Sequence, residues 1–241
     1  MLPCVNLFLC YTGSKINVDQ VSRDINEPNL QDLITTFVSE QVDRNSIFFD
    51  YAPTPNGANE SLTFPRFSQP ISTFPSAVVM FHAPSDICGT GGMRAERIRA
   101  ISTWRGTSGR YDCILIRRSS TQLDDLRGFQ RYSVARVRLF FTFTFLAVDY
   151  SCALVHDFLP VDEEPDQNTG MWVVRRATLG CRPRARVIPL HSILRAAHLI
   201  PVYGYEETML LKTRTPETSL DDFEYFYMNK FADHHAFEVA F

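Results

Sequence analysis

Between Ala135 and Phe145 the chain alternates. The odd positions Ala135, Val137, Leu139, Phe141, Phe143 and Phe145 are all apolar, while Arg136, Arg138, Phe140, Thr142 and Thr144 are mostly polar or β-branched. A period of two marks a strand with one buried face. After Leu146 to Asp149 the alternation resumes with Tyr150, Cys152, Leu154 and Phe158, so residues 134–158 predict a hairpin with a four-residue connection. Fully burying one Phe or Leu is worth about 1.5–3 kcal/mol, which makes this hairpin the centre of the core. On the same pattern Arg136 and Arg138 share the outward face of the first strand with Thr142 and Thr144, and Phe140 lies between.

Other stretches extend the pattern. Residues 1–28 show no clear period. Leu30, Leu33, Ile34, Phe37 and Val38 recur at helical spacing behind the capping pair Asn29 and Asp32, which predicts a helix to about Val42. Residues 51–76 are rich in Pro, Asn, Gly and Ser and read as a linker. SAVVMFHA predicts a strand, Pro84 to Gly92 a break, and MRAERIRAIS a short helix. Further strands are expected at Tyr111 to Ile116, Gly170 to Val174 and Arg186 to Leu190, and a helical turn from His191 to His198. A capping box of Ser219 and Asp222 opens a last helix with Phe223, Phe226, Tyr227, His234 and Phe237 along one stripe. Strands this close leave no room for crossover helices. The expected fold is α+β, mainly an antiparallel β-sheet or small β-barrel with an N-terminal and a C-terminal helix. Residues 1–73 are expected to form a variable N-terminal segment with one helix and the linker, 74–218 a β-rich domain, and 219–241 a helix packing on it.

At 45% hydrophobic and 21% charged, the 241 residues suit a globular chain. No apolar run approaches the roughly 18–20 residues of a membrane span, and the opening MLPCVNLFLCYTG lacks the basic start of a signal peptide. Six cysteines with no CxxC pair fit reduced thiols in a cytosolic or nuclear protein. Charge is unevenly spread. Residues 94–195 hold seventeen Arg, no Lys and ten acids, a net +7, against −10 for the remainder. Such polarity fits either a phosphate-facing middle or an ordinary solvated surface.

No catalytic constellation emerges. The glycines at 89, 91 and 92 lack a P-loop ending and read better as a tight turn. The histidines match no zinc spacing, so neither metal nor cofactor is expected. Cys152 and His156 on one strand would lie about 13 Å apart, too far for a nucleophile and its base. Gly106-Thr107-Ser108-Gly109 is not the GxSxG of a hydrolase, and the acids of 162–166 crowd one loop. Arg136 and Arg138 on an exposed strand face, with an aromatic ring between, could instead contact phosphates and stack bases. The alternative is a solvated face whose arginines pair with nearby acids.

Seven stretches in order carry a resemblance: FHAPSDICGTGGMRAERIRA, RYDCILI, VARVRLFFTFTF, YSCALVHDF, DQNTGMWVV, RAAHLIPVYG and SLDDFEYFYMNKFADHHAFEVAF. Together they resemble the C-terminal region of Plavaka-type DNA transposases of basidiomycete fungi, over about residues 74–241. The catalytic core of that family lies upstream and matches nothing here. The resemblance implies a nuclear, transposon-derived origin and a non-catalytic accessory module. Its expected partner is DNA, and where DNA is bound Arg94, Arg97, Arg99, Arg136 and Arg138 are the expected phosphate contacts. The alternative is a protein-interaction or assembly module for other transposase subunits or nuclear proteins, or a decayed remnant without activity. No membrane partner is expected. Two departures from the family pattern are Ala147 where a turn Gly is usual and Asp157 where a Trp is usual; the second is expected to weaken packing.

Overall fold

The structure is a computed structural model that describes residues 6–10, 13–46, 66–83, 90–106, 108–118, 128–203 and 218–240. Most of the Pro/Asn-rich linker and the first part of the 84–92 break lie outside these residues. In chain order the elements are β1 (Asn6–Cys10), β2 (Ser14–Ile16), α1 (Val18–Asp24), α2 (Leu30–Ser46), β3 (Ile71–Phe74), β4 (Ser76–His82), β5 (Met93–Ile101), β6 (Arg110–Tyr111) and β7 (Cys113–Arg117). There follow β8 (Tyr132–Phe145), β9 (Val148–Pro160), β10 (Val173–Arg176), β11 (Thr178–Leu179), β12 (Arg182–Pro183), β13 (Ala185–Pro189), β14 (Ile193–Ala197) and β15 (Leu199–Pro201). The chain closes with α3 (Ser219–Asp222), β16 (Tyr225–Met228) and α4 (His234–Ala240).

The class is α+β, mainly antiparallel sheet, and the sheets do not close into a barrel. A ten-stranded sheet runs β14-β7-β8-β9-β10-β16-β15, with β13 also on β9, β3 on β8 and β2 on β3. A four-stranded sheet, β1-β4-β5-β6, covers one of its faces. Between them Val79, Phe81 and Ile98 pack with Ile114, Val137, Phe140 and Val155. The opposite face is covered by α1 and α2, whose Val21, Leu30, Ile34 and Phe37 meet Leu139, Phe141, Phe143 and Leu154. β1 and β2 come from the stretch that shows no period.

The expected hairpin is present as β8 and β9, but its turn has two residues. Leu146 and Ala147 both lie at positive φ (49° and 61°), the backbone of a type I′ turn built without glycine. The expected faces are corrected by a bulge. Val137 pairs with Val155 and Leu139 with Leu154, which leaves Arg138 as an extra residue on β8. One added residue reverses every later side chain. Ala135 and Val137 therefore enter the inter-sheet core together with Phe140, whereas Leu139, Phe141 and Phe143 enter the helix-covered core. Phe140 is fully buried, not exposed between arginines.

The bulge sits where β8 changes neighbour. β7 pairs with residues 132–136 and β3 with 140–142. In the gap Val137 N donates to Asp112 O at 3.0 Å, at the point where the chain passes from β6 in the small sheet to β7 in the large one.

Two expected helices are strands. MRAERIRAI forms β5, paired with β4 through seven residues; Ile98 and Ala100 alternate inward, and the pairing overrides the helix propensity of Met, Ala, Arg and Glu. The expected C-terminal helix is interrupted. α3 lasts one turn, Tyr225–Met228 pairs with both β10 and β15, and α4 follows. The 191–198 segment is a 3-10 turn, Leu190–Ser192, leading into β14. Asp157, the expected weak point in packing, has an ionic partner. It is buried, but Arg186 Nε donates to both carboxylate oxygens at 2.8 and 2.9 Å.

Candidate nucleic-acid interface

The small sheet has one face on the core and one face outward. Registers place Leu7, Leu9, Val79, Glu96, Ile98 and Ala100 inward, and Phe8, Val78, Met80, Arg97, Arg99, Ile101 and Arg110 outward. Among the described outward positions of these four strands there are three arginines and no carboxylate. Phe8 is 56% exposed and Arg97 is exposed as well.

Beyond β5 the chain turns through Trp104, Arg105 and Gly106, the last at φ 79°. Trp104 N donates to Ser108 O at 3.3 Å, which holds the turn. Gly109 is required beside it, because a Cβ there would meet the carbonyl oxygens of Ile101 and Ser102 at 2.9 Å. The Trp104 ring then lies among three guanidiniums. Arg99, Arg105 and Arg110 stand 4.9, 5.5 and 5.5 Å from its centroid. Asp112 braces two of them, accepting from Arg110 Nε at 2.9 Å and from the Arg99 backbone N–H at 2.9 Å. Arg97 donates to Ser76 Oγ at 3.2 Å on the neighbouring strand. One carboxylate against four arginines leaves the patch cationic, with an indole at its centre.

The five arginines singled out in the sequence separate into two groups. Arg97 and Arg99 lie on this outward face. Arg94 lies on the other side of β5, 3.8 Å from Asp233 and 4.0 Å from Glu96. Arg136 is buried, with Nη1 donating to Asp221 at 2.6 Å, and Arg138 stands over the Tyr111 ring at 4.1 Å, its charge disfavoured by burial. The expectation that Arg136 and Arg138 form an exposed face is corrected by the bulge and by the docking of residues 218–222. Trp104, Arg105 and Arg110 were missed. Their signal is a Trp-Arg pair in a glycine-bounded loop closed by another Arg.

A second charged cluster is internal. Arg195 on β14 donates to Asp233 at 2.6 and 2.8 Å and to Glu96 at 2.6 Å, lies 3.1 Å from His235 Nδ1, and stands 5.0 Å from the Phe81 ring. The Arg195 hydrogen bonds hold the Asp233 carboxyl well below its usual range, while burial pushes Glu96 up and His235 down. These contacts tie α4 and the residue before it to both sheets. Among the described residues no group of three His, Cys, Asp or Glu could hold a metal, and no helix is long and apolar enough to cross a membrane. Comparison of the chain with protein-family models, curated proteins and solved structures finds no match.

Proposed function

We propose that this chain is a non-catalytic accessory module that contacts DNA through the outward face of its small sheet. The observation that supports it is the Trp104 ring held among Arg99, Arg105 and Arg110, beside exposed Arg97. Guanidiniums neutralise phosphates, and the half-buried indole among them adds aromatic surface that bases can contact. The strand ladder keeps Arg97, Arg99 and Arg110 in register, and the Trp104 N–H bond to Ser108 O closes the turn that carries Trp104 and Arg105. A transposon-derived origin and a nuclear location accompany this reading through the sequence resemblance. The alternative is an assembly module that docks another protein subunit. Phe8, Val78 and Met80 on the same face favour it as a second reading, since they extend the patch with apolar area. Titration of a fluorescent duplex at two salt concentrations separates the two, because only the phosphate contacts carry a strong salt dependence.

A further inference from the structure

The outward face of the small sheet is divided lengthwise into two bands. Among their described outward positions, β1 and β4 carry Phe8, Val78 and Met80 and no arginine or lysine, whereas β5 and β6 carry Arg97, Arg99 and Arg110. The bands are in register. Phe8 lies opposite Val78, and Val78 opposite Arg97. One row therefore crosses from a ring that is 56% exposed, over an aliphatic side chain, to a guanidinium within about 10 Å.

A single strand of DNA has the same lateral order, with its bases along one side and its phosphates along the other. In a duplex the bases are turned onto each other and the phosphates of both strands lie outside. A duplex offers base edges only within its grooves. Four strands about 4.8 Å apart span about 14 Å before side chains are added, more than the major groove's width of about 12 Å. Against a duplex the arginine band meets phosphates, but Phe8, Val78 and Met80 meet no base. We infer, on the DNA reading of this face, that it takes single-stranded DNA in preference to duplex, with phosphates on Arg97, Arg99 and Arg110 and unpaired bases on Phe8 and Val78. The indole of Trp104 and its three guanidiniums extend the same surface, because unpaired bases stack on aromatic rings and on guanidinium planes alike. Every base has a π-face, so this mode of binding tolerates sequence changes.

The test is fluorescence anisotropy of the full chain with a labelled oligothymidine and, separately, a labelled duplex of equal length, each at about 50 and about 200 mM salt. The expected result is single-strand binding about tenfold tighter than duplex binding, the worth of one or two stacked bases. Phe8→Ala, at an exposed ring on the end strand of the sheet, removes most of that preference and leaves the salt slope of wild type. Phe8→Tyr, which keeps the ring, keeps the preference. Duplex binding as tight as single-strand binding, or a preference unchanged in Phe8→Ala, overturns the inference and leaves the DNA reading of the face standing. Binding of neither form overturns both.

Discussion

Arg136 and Asp221 are 85 residues apart in sequence and meet at 2.6 Å, with the Arg136 side chain 9% exposed and that of Asp221 59%. The pair fastens the C-terminal segment over the bulged strand, and its unequal burial has a consequence. Removing Asp221 strands a guanidinium whose Nε is already buried without a partner. Removing the charge of Arg136 leaves a carboxylate that water can reach. Asp221→Ala is therefore expected to cost about 1–3 kcal/mol, and Arg136→Met, which keeps the stem, less than about 1 kcal/mol. Urea denaturation of the two variants measures the difference. Equal losses would show that the pair does not fasten the segment in this way.

The β8–β9 turn holds Leu146 and Ala147 in the left-handed region without glycine. A side chain costs about 1 kcal/mol there. Ala147→Gly is expected to raise Tm by about 2–4 °C, read by thermal unfolding. An unchanged or lower Tm would mean that the turn is not strained at this position.

The Arg195 cluster predicts how stability depends on pH. His235 has its pKa lowered below the ordinary 6.5 by burial, so as pH falls through 6.5 the unfolded chain takes up a proton that the folded chain refuses. Stability then drops toward the folded value. Asp233 repeats this lower down. Its carboxyl is held below 3.8, so its stabilisation is present above that pH and is lost as pH falls further. Glu96, raised above 4.5 by burial, acts in the opposite sense and costs stability as pH rises through 4.5. His235→Asn, which keeps an acceptor toward Arg195, is expected to flatten the fall of Tm between about pH 7 and about pH 5 relative to wild type. Asp233→Asn is expected to lower Tm at neutral pH and to remove the loss below about pH 4. Parallel pH profiles of variant and wild type would contradict the assignment.

Elements in which periodicity and propensity agree were legible in the sequence. The β8–β9 hairpin, the α2 helix behind Asn29 and the strand SAVVMFH were all visible, because each buries one side in a regular repeat. β5 was not, since Arg94 and Glu96 occupy inward positions and find their partners, Asp233 and Arg195, more than 95 residues away. The site was half legible for the same reason. Arg97 and Arg99 were found, but the bulge at Arg138 leaves no trace in the hydrophobic pattern, so Phe140 was assigned to the wrong face, while Arg136 lies opposite Ala135 and Val137 as expected and is covered instead of wet. Asp221, which covers it, lies between Ser219 and Asp222, the pair read as a capping box, and has no signal of its own. Alternation reports that a strand has two faces, and long-range pairing decides which of them is wet.

The central claim is tested most directly by fluorescence anisotropy of a labelled duplex, titrated at about 50 and about 200 mM salt with wild type and Arg97→Ala/Arg105→Ala. Both side chains are exposed, and Asp112 keeps its own partners Arg99 and Arg110. Each phosphate contact contributes about −0.9 to the slope of log K against log salt. The account predicts binding that weakens steeply with salt and a slope shallower by about 1.8 in the variant, while Arg136→Met binds as wild type does. Binding that is absent, insensitive to salt, or unchanged in the Arg97/Arg105 variant would contradict it and leave the face to a protein partner.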